Sequence, residues 1–266
     1  MKVAVYQSCP IYGDIDYNLF TALAALGSVD ADLYVLPELF STGYLFGTRK
    51  ALGKLVEPVP SGPTSRGLIR FCRSRGCAIV AGIAEKEGAK FFNTAVLVGP
   101  RGLIGKYRKT HLFNQEKKWF DPGNTGFEVW KCGNAKLGLM ICFDWIYPEA
   151  ARILALKNAD IICHPSNLIL HYCQPAMVTR SVENRVFTIT ANRVGREVRK
   201  DVDLTFSGRS QITDPLGRIL AAAPREAERI MAVDIDPTLA RNKKATPGNH
   251  IFRDRRPAFY KELVRP

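Results

Sequence analysis

No stretch of the 266-residue chain approaches the roughly 20 consecutive apolar residues that a membrane-crossing helix needs. No membrane association is therefore expected. The opening segment MKVAVYQSCPIYGD carries one Lys and a short apolar run, with no h-region and no small-residue cleavage site. It does not read as a secretory signal, and a cytoplasmic location is expected. The chain also lacks any C-x-x-C pair. Its seven cysteines (Cys9, Cys72, Cys77, Cys132, Cys142, Cys163 and Cys173) are odd in number, which argues against a disulfide framework and a structural zinc site. Most should be small buried hydrophobes. Internal repeats and low-complexity linkers are absent, so residues 1–266 read as one domain, with residues 237–266 as a C-terminal arm.

Acidic residues are outnumbered, 25 to 38, giving a net charge of +13. Such an excess can serve nucleic acid, an anionic ligand or solubility alone. Here the basic residues are dispersed. The densest groups, Lys106 to Lys109 and Arg241 to Arg256, match no nucleic-acid motif. No nucleic-acid partner is expected.

What remains is an alternation of strand and helix patterns. VAVYQ, LYVLP and CAIVAGI read as buried strands. Helical patterns cover residues 16–27 and 63–75, the second with Pro63 near its start and Gly76 at its stop. FFNTAVLVG and GLIGKYR form a hairpin through Gly99–Gly102, and GFEVWKC and KLGLMIC form another through Gly133-Asn134. A helix opens at Pro148, the strand DIICHP follows, and a longer helix covers residues 173–186. FTITANRV, SGRSQITD, GRILAAA and RIMAVDI complete the strands, and the basic tail beyond Asp236 reads as loop. This order predicts an α/β layered domain with a mixed sheet or two sheets.

Three apolar runs end in polar residues: LYVLP into Glu38, GLMI into Cys142, and IIC into His164-Pro-Ser-Asn167. Ligands in α/β sheets bind beyond the carboxyl ends of strands, so Glu38, Cys142 and Asn167 would line one pocket if these strands are neighbours. Cys142 lies between a strand and a helix whose first turn holds Pro148 and Glu149. Such a bend can expose a nucleophile, supply N–H groups to an oxyanion and favour a thiolate. Glu38, at a partly buried strand end, has the chemistry of a general base. Lys109 follows a strand and could stabilise an oxyanion. Taken singly, each residue also fits a bland role: an inert buried thiol, a surface carboxylate, a solvated ammonium.

The segments LPELFSTGY, GKYRKTHLF and GLMICFDWIYPEAAR resemble, in order, the three signature motifs of the nitrilase superfamily, the carbon–nitrogen hydrolases. The similarity runs along nearly the whole chain, including ENRVFTITANRVG and IFRDRRPAFY. The resemblance implies a four-layer α-β-β-α sandwich and a catalytic triad of Glu38, Lys109 and Cys142. It adds Glu116 as a second glutamate that orients the lysine or the substrate. Glu38 would take the thiol proton. The thiolate would attack an amide carbon, and Lys109 with the Phe143 N–H would hold the oxyanion. A thioester would form and be hydrolysed, with no metal or organic cofactor.

The expected partner is a small-molecule amide, carbamoyl compound or nitrile. Asp144, two residues after the nucleophile, resembles the Cys-x-Asp pattern of amidase and carbamoylase branches. The whole chain is also similar to small archaeal and bacterial nitrilase-like proteins, which keeps nitrile hydrolysis as the alternative. Candidate pocket walls are Tyr44, Trp119, Trp145, Asn167 and Tyr172, with Asn167 resembling a substrate-contacting position of carbamoylases. The family implies a homodimer or larger assembly, to which the tail from Asn249 to Tyr260 would contribute. Four histidines (His111, His164, His171 and His250) are available for a Cys–His enzyme, but nothing around Cys142 resembles the papain signature, and His164 reads as structural. A non-enzymatic role would not need Glu38, Lys109 and Cys142 together.

Overall fold

Alternate residues of the first strand meet different neighbours, and that sets the order of layers. The computed structural model describes residues 1–199 and 202–265. In β1 (Lys2–Gln7), Val3 and Val5 pack into the core that holds Leu137, Leu139 and Ile189, whereas Ala4 and Tyr6 pack with Ala22, Leu26, Leu68 and Cys72. Successive side chains of a strand point to opposite faces, so a strand apolar on both faces must be covered on both. The covering helices are α1 (Ile15–Gly27) and, after the one-turn α2 (Arg49–Leu52), α3 (Pro63–Arg75). Asp14 caps α1 by accepting the Tyr17 N–H at 3.1 Å. Pro63 starts α3 and Gly76 ends it in the left-handed region at φ 67°.

The first sheet adds β2 (Leu33–Val35), β3 (Ala78–Glu87), β4 (Lys90–Gly99) and β5 (Gly102–Arg108) in chain order beside β1. The β1–β2 and β2–β3 pairs are parallel, the β3–β4 and β4–β5 pairs antiparallel. The one-turn helix α4 (Glu116–Trp119) leads into the second sheet, which begins with β6 (Val129–Cys132), β7 (Ala135–Leu139), β8 (Ile161–Pro165) and β9 (Phe187–Ala191). Helices α5 (Pro148–Leu156) and α6 (Cys173–Asn184) connect β7 to β8 and β8 to β9, and pack on β7 and β9. A hairpin of β10 (Arg196–Arg199) and β11 (Val202–Thr205) precedes β12 (Gln211–Thr213) and β13 (Ile219–Ala222), which extend the second sheet. Strand β14 (Arg229–Asp234) returns to the first sheet, antiparallel to β1. The result is two six-stranded sheets face to face, flanked by α1 and α3 on one side and α5 and α6 on the other: a four-layer α-β-β-α sandwich.

Several boundaries differ from the sequence reading. The helix expected through residue 186 stops at Asn184, because Arg185 turns left-handed at φ 51°. Only Val129–Cys132 of GFEVWKC and Gln211–Thr213 of SGRSQITD pair as strands. The β10–β11 hairpin was not foreseen: its exposed polar face hides the alternation, and an Arg196–Asp203 ion pair bridges its strands. In the tail, Lys243 donates to Asn184 O (3.0 Å) and Arg185 O (2.7 Å) at the end of α6, and β15 (Lys244–Thr246) pairs with β16 (Asn249–His250). Among the described residues no helix is long and apolar enough to cross a membrane.

The three strand ends do not all lie in one sheet. Strands β7 and β8 are hydrogen-bonded neighbours, but β2 lies in the opposite sheet and packs on β8 and β9 across the sandwich. Glu38 therefore meets Cys142 and Asn167 from a facing sheet, not from the same one.

Candidate active site

Close backbone approach places Glu38. It begins the turn after β2, where Leu39 adopts φ 51°. The Gly82 N–H donates to Pro37 O at 3.1 Å, and the Phe40 N–H donates to Gly82 O at 3.2 Å. A Cβ on Gly82 would lie 2.4 Å from Glu38 Cα, so β3 can carry only glycine there.

Lys109 extends β5 by one residue, its N–H donating to Asn93 O at 2.8 Å. Its own carbonyl accepts from the Gly123 N–H at 3.0 Å. The preceding Arg108 is buried in a fork on Glu85, with Nε and Nη2 at 2.9 and 2.6 Å from the carboxylate oxygens, which clamps the strand end.

Cys142 sits at a bend. The Met140 N–H still donates to Cys163 O of β8 at 3.2 Å, then Cys142 takes φ 44° and opens a 3-10 turn, Cys142–Ile146. A non-glycine residue there is held by its surroundings. Asp144 supplies part of that restraint: Oδ2 accepts the Ile141 N–H and the Tyr107 hydroxyl, both at 2.8 Å, and Oδ1 accepts His111 Nδ1–H at 2.7 Å. Asp144 thus braces the bend against the segment carrying Lys109. His164 supplies another part, with Nε2 2.8 Å from Cys142 O.

Three ionisable side chains meet here, all fully buried. Lys109 Nζ lies 2.7 Å from Glu38 Oε1 and 2.8 Å from Glu116 Oε1. Burying an isolated charge costs several kcal/mol, so none of the three would persist alone. Asn93 Nδ2 donates to Glu38 Oε1 at 2.7 Å, Tyr44 Oη donates to Glu116 Oε1 at 2.7 Å, and Glu116 Oε2 accepts the Phe113 N–H at 3.2 Å. Of the four carboxylate oxygens one remains free: Glu38 Oε2 is buried with no partner among the described residues.

The environment sets the protonation states. Burial alone would strip the proton from Lys109, but Glu116 and then Glu38 outweigh it, so its pKa stands well above the ordinary ammonium value. Burial raises the Glu116 carboxyl, and Lys109 opposes this. Burial, followed by the Glu38 charge, pushes the Cys142 thiol well above its usual value, with Lys109 and the Asn167 backbone N–H pulling it back only in part. Burial and the Glu38 charge thus favour the neutral thiol at Cys142, against the pull toward a thiolate expected of a neighbouring helix start.

A recess of ≈ 20 Å³ opens beside Cys142, lined also by Phe143, Trp145 and Asn167, with apolar walls from Phe113 and from Leu168 to Leu170. The Phe143 N–H has no acceptor among the described residues. Both polar side-chain atoms of Asn167 are buried and have no partner among the described residues. The other candidate walls lie elsewhere. Tyr44 is one step removed, on Glu116. Trp119 belongs to an aromatic cluster, its ring 5.8 Å from Phe46 and 6.4 Å from Tyr44. Tyr172 stands exposed, edge-on to Trp145 at 5.6 Å. Of the histidines, His111 stacks on Tyr147 at 3.7 Å and its Nδ1 is held by Asp144.

Sequence reasoning missed Asn93 and Tyr107, and named His111 only among the histidines available to a Cys–His enzyme. Asn93 left a trace, as the one amide inside the apolar run FFNTAVLV. Tyr107 and His111 flank Lys109 within its motif, but nothing in the spacing shows that both reach Asp144.

Residues 2–245 match the carbon–nitrogen hydrolase family model. The chain is 46% identical over 263 residues to a nitrilase of Pyrococcus abyssi (strain GE5 / Orsay), covering 98% of this chain and 99% of the relative. It is 35% identical to an (R)-stereoselective amidase of Pseudomonas sp., covering 96% and 92% of the two chains. The crystal structure of a carbon–nitrogen hydrolase from Helicobacter pylori G27 superposes with a TM-score of 0.89 at 28% identity, over 100% of this chain and 98% of that one. With the sandwich and the buried Glu38, Lys109 and Cys142 in place, these likenesses identify the chain as a member of the carbon–nitrogen hydrolase family, within the nitrilase superfamily.

Proposed function

We propose that the protein hydrolyses a small amide or N-carbamoyl compound through a thioester on Cys142. The observation that carries this reading is the unpartnered Glu38 Oε2, a buried acceptor on the carboxylate whose charge helps to hold the buried Cys142 as a thiol, while Oε1 of the same carboxylate is fixed by Lys109 and Asn93. A buried carboxylate oxygen left without a donor costs about 1–3 kcal/mol or more. Such a cost fits a group whose partner is the proton in transit.

The thiol proton passes to Glu38 Oε2 as Sγ bonds to the substrate carbon. Lys109 Nζ–H and the Phe143 N–H receive the oxyanion. Glu38 returns that proton to the leaving nitrogen, the C–N bond breaks, and ammonia or an amine departs. Glu38 then takes a proton from water, the hydroxide adds to the thioester carbon, the C–S bond breaks, and the proton goes back to Sγ as the acid leaves. Glu116, held by Tyr44, keeps Lys109 charged and aimed. Asn167 offers an amide to the substrate, and Phe113, Trp145 and the leucines at 168 and 170 favour a small uncharged acyl group.

Ammonia release from a panel of amides, N-carbamoyl compounds and nitriles tests the proposal. Cys142→Ala should stay folded and lose all turnover; a folded, fully active variant would refute it. The second reading is a nitrilase, favoured by the 46% identity to a protein of that name. It requires turnover of nitriles faster than of the matching amides.

We further infer one domain with a C-terminal arm, a homodimer and a cytoplasmic setting. The dimer is supported by apolar side chains left exposed on α5 (Ile153 and Leu156), on α6 (Val182) and in the arm (Phe259 and Leu263). Light scattering checks it. The seven free thiols support a reducing compartment.

A further inference from the structure

We propose that His164 is a positioning residue that aims the oxyanion-binding N–H of Phe143 by holding the opposite end of the same peptide group, the carbonyl of Cys142. This rests on the reading of Cys142 as nucleophile and adds a role for a residue that otherwise looks like core.

The imidazole of His164 is fully buried at the end of β8. Nε2 lies 2.8 Å from Cys142 O, and a carbonyl oxygen only accepts, so Nε2 carries the proton. Nδ1 is then the acceptor, facing Thr190 Oγ1 of β9 at 3.2 Å, and that hydroxyl donates to it. Ser166 Oγ stands 3.1 Å from Nε2 and donates its own proton to His164 O at 3.2 Å. The tautomer is therefore set from both sides by groups on the second sheet.

The peptide bond gives this hydrogen bond its reach. Between Cys142 and Phe143, C=O and N–H lie in one plane and point in opposite directions when the bond is trans, and no cis bond occurs at this position. Fixing the carbonyl toward His164 fixes the Phe143 N–H the other way. That N–H has no acceptor among the described residues, and Phe143 and Cys142 line the same recess. The plane also needs an external hold. Cys142 adopts φ 44°, so relaxation of the bend would rotate the peptide group and swing the N–H off target. His164 makes a hydrogen bond that opposes such rotation, and it does so without touching substrate.

Three substitutions separate donor geometry from bulk. His164→Gln places an amide N–H near the position of Nε2, His164→Asn carries the same amide one methylene short, and His164→Leu has no donor. Turnover of an amide substrate is measured beside the rate at which iodoacetamide alkylates Cys142. Alkylation displaces iodide at a saturated carbon and forms no oxyanion, so it reports the nucleophile and its base alone. The expected result is kcat lowered about 10–100-fold in the Asn and Leu variants, KM nearly unchanged, alkylation within about twofold of wild type, and most of kcat restored in His164→Gln. If His164→Leu fails to fold, the Gln and Asn pair decides. Equal kcat in Gln and Asn variants, or kcat and alkylation falling together, would overturn the proposal. Failure of the underlying reading shows separately, as wild-type protein that keeps its activity after Cys142 is alkylated.

Discussion

The pH dependence of folding offers a sharp check on how His164 is held. Burial lowers its pKa from 6.5 to about 4, with the Cys142 carbonyl, Asp144 and Glu38 raising it less and Lys109 adding to the fall. Between those values the unfolded chain binds a proton that the folded protein refuses. Stability from this group is therefore complete above pH 6.5 and is lost as pH falls toward 4. Worked through the two-state linkage relation, the loss is about 1.4 kcal/mol at pH 5.5 and about 3 kcal/mol at pH 4. Because the imidazole has no exposure to solvent, screening does not reduce it. Urea unfolding at pH 7.0, 5.5 and 4.0, at one protein concentration, measures it against His164→Gln, which cannot titrate. Wild type should lose about 3 kcal/mol more than the variant between pH 7 and pH 4. Parallel curves for the two proteins would refute the reasoning, since they would mean that His164 accepts a proton in the folded state at its ordinary pKa.

Two further perturbations probe the buried charges and their placement. Lys109→Met strands Glu38 and Glu116 without a cation; it should abolish turnover and cost about 3–5 kcal/mol at pH 7. Burial already raises the Glu116 carboxyl and Lys109 opposes it, so without the cation the deficit should grow as pH rises from 5 to 8, by denaturant midpoint, and shrink when Glu116→Gln is added. Gly82→Ala drives a methyl group against the Glu38 backbone, 2.4 Å away, and should cut kcat at least tenfold with the protein still folded by circular dichroism.

The resting thiol changes how the site is to be understood. With Cys142 pushed toward the neutral form, the site favours a thiol over a stored thiolate. On the proposed mechanism, reactivity appears only when substrate brings the carbon to Sγ and Glu38 removes the proton. The same burial that raises the thiol pKa strengthens the Lys109 interaction with an oxyanion, since both effects follow from excluding water.

Much of this was legible along the chain, because it depends on local pattern. The unbroken apolar runs VAVYQ and CAIVAGI, the Pro63 and Gly76 limits of α3, and the hairpin at Gly99–Gly102 are properties of a few adjacent residues, and the structure keeps them. Glu38, Lys109 and Cys142 could be singled out because each closes a recognisable motif at a strand end. The sequence by itself thus determined the elements, the chemistry available and the family. Only the tertiary structure decided that β2 faces β8 and β9 from the opposite sheet, that both glutamates share one ammonium with Asn93 and Tyr44 completing the set, and that His164 holds the Cys142 carbonyl. Apart from the Lys109–Glu116 pair, seven residues apart, these are contacts between residues 22 to 72 positions apart, set by how two sheets pack rather than by any repeat along the chain. The charge state of Cys142 belongs with them: a thiol's pKa depends on which charges surround it and how much water is excluded, and neither is written in its neighbours along the sequence.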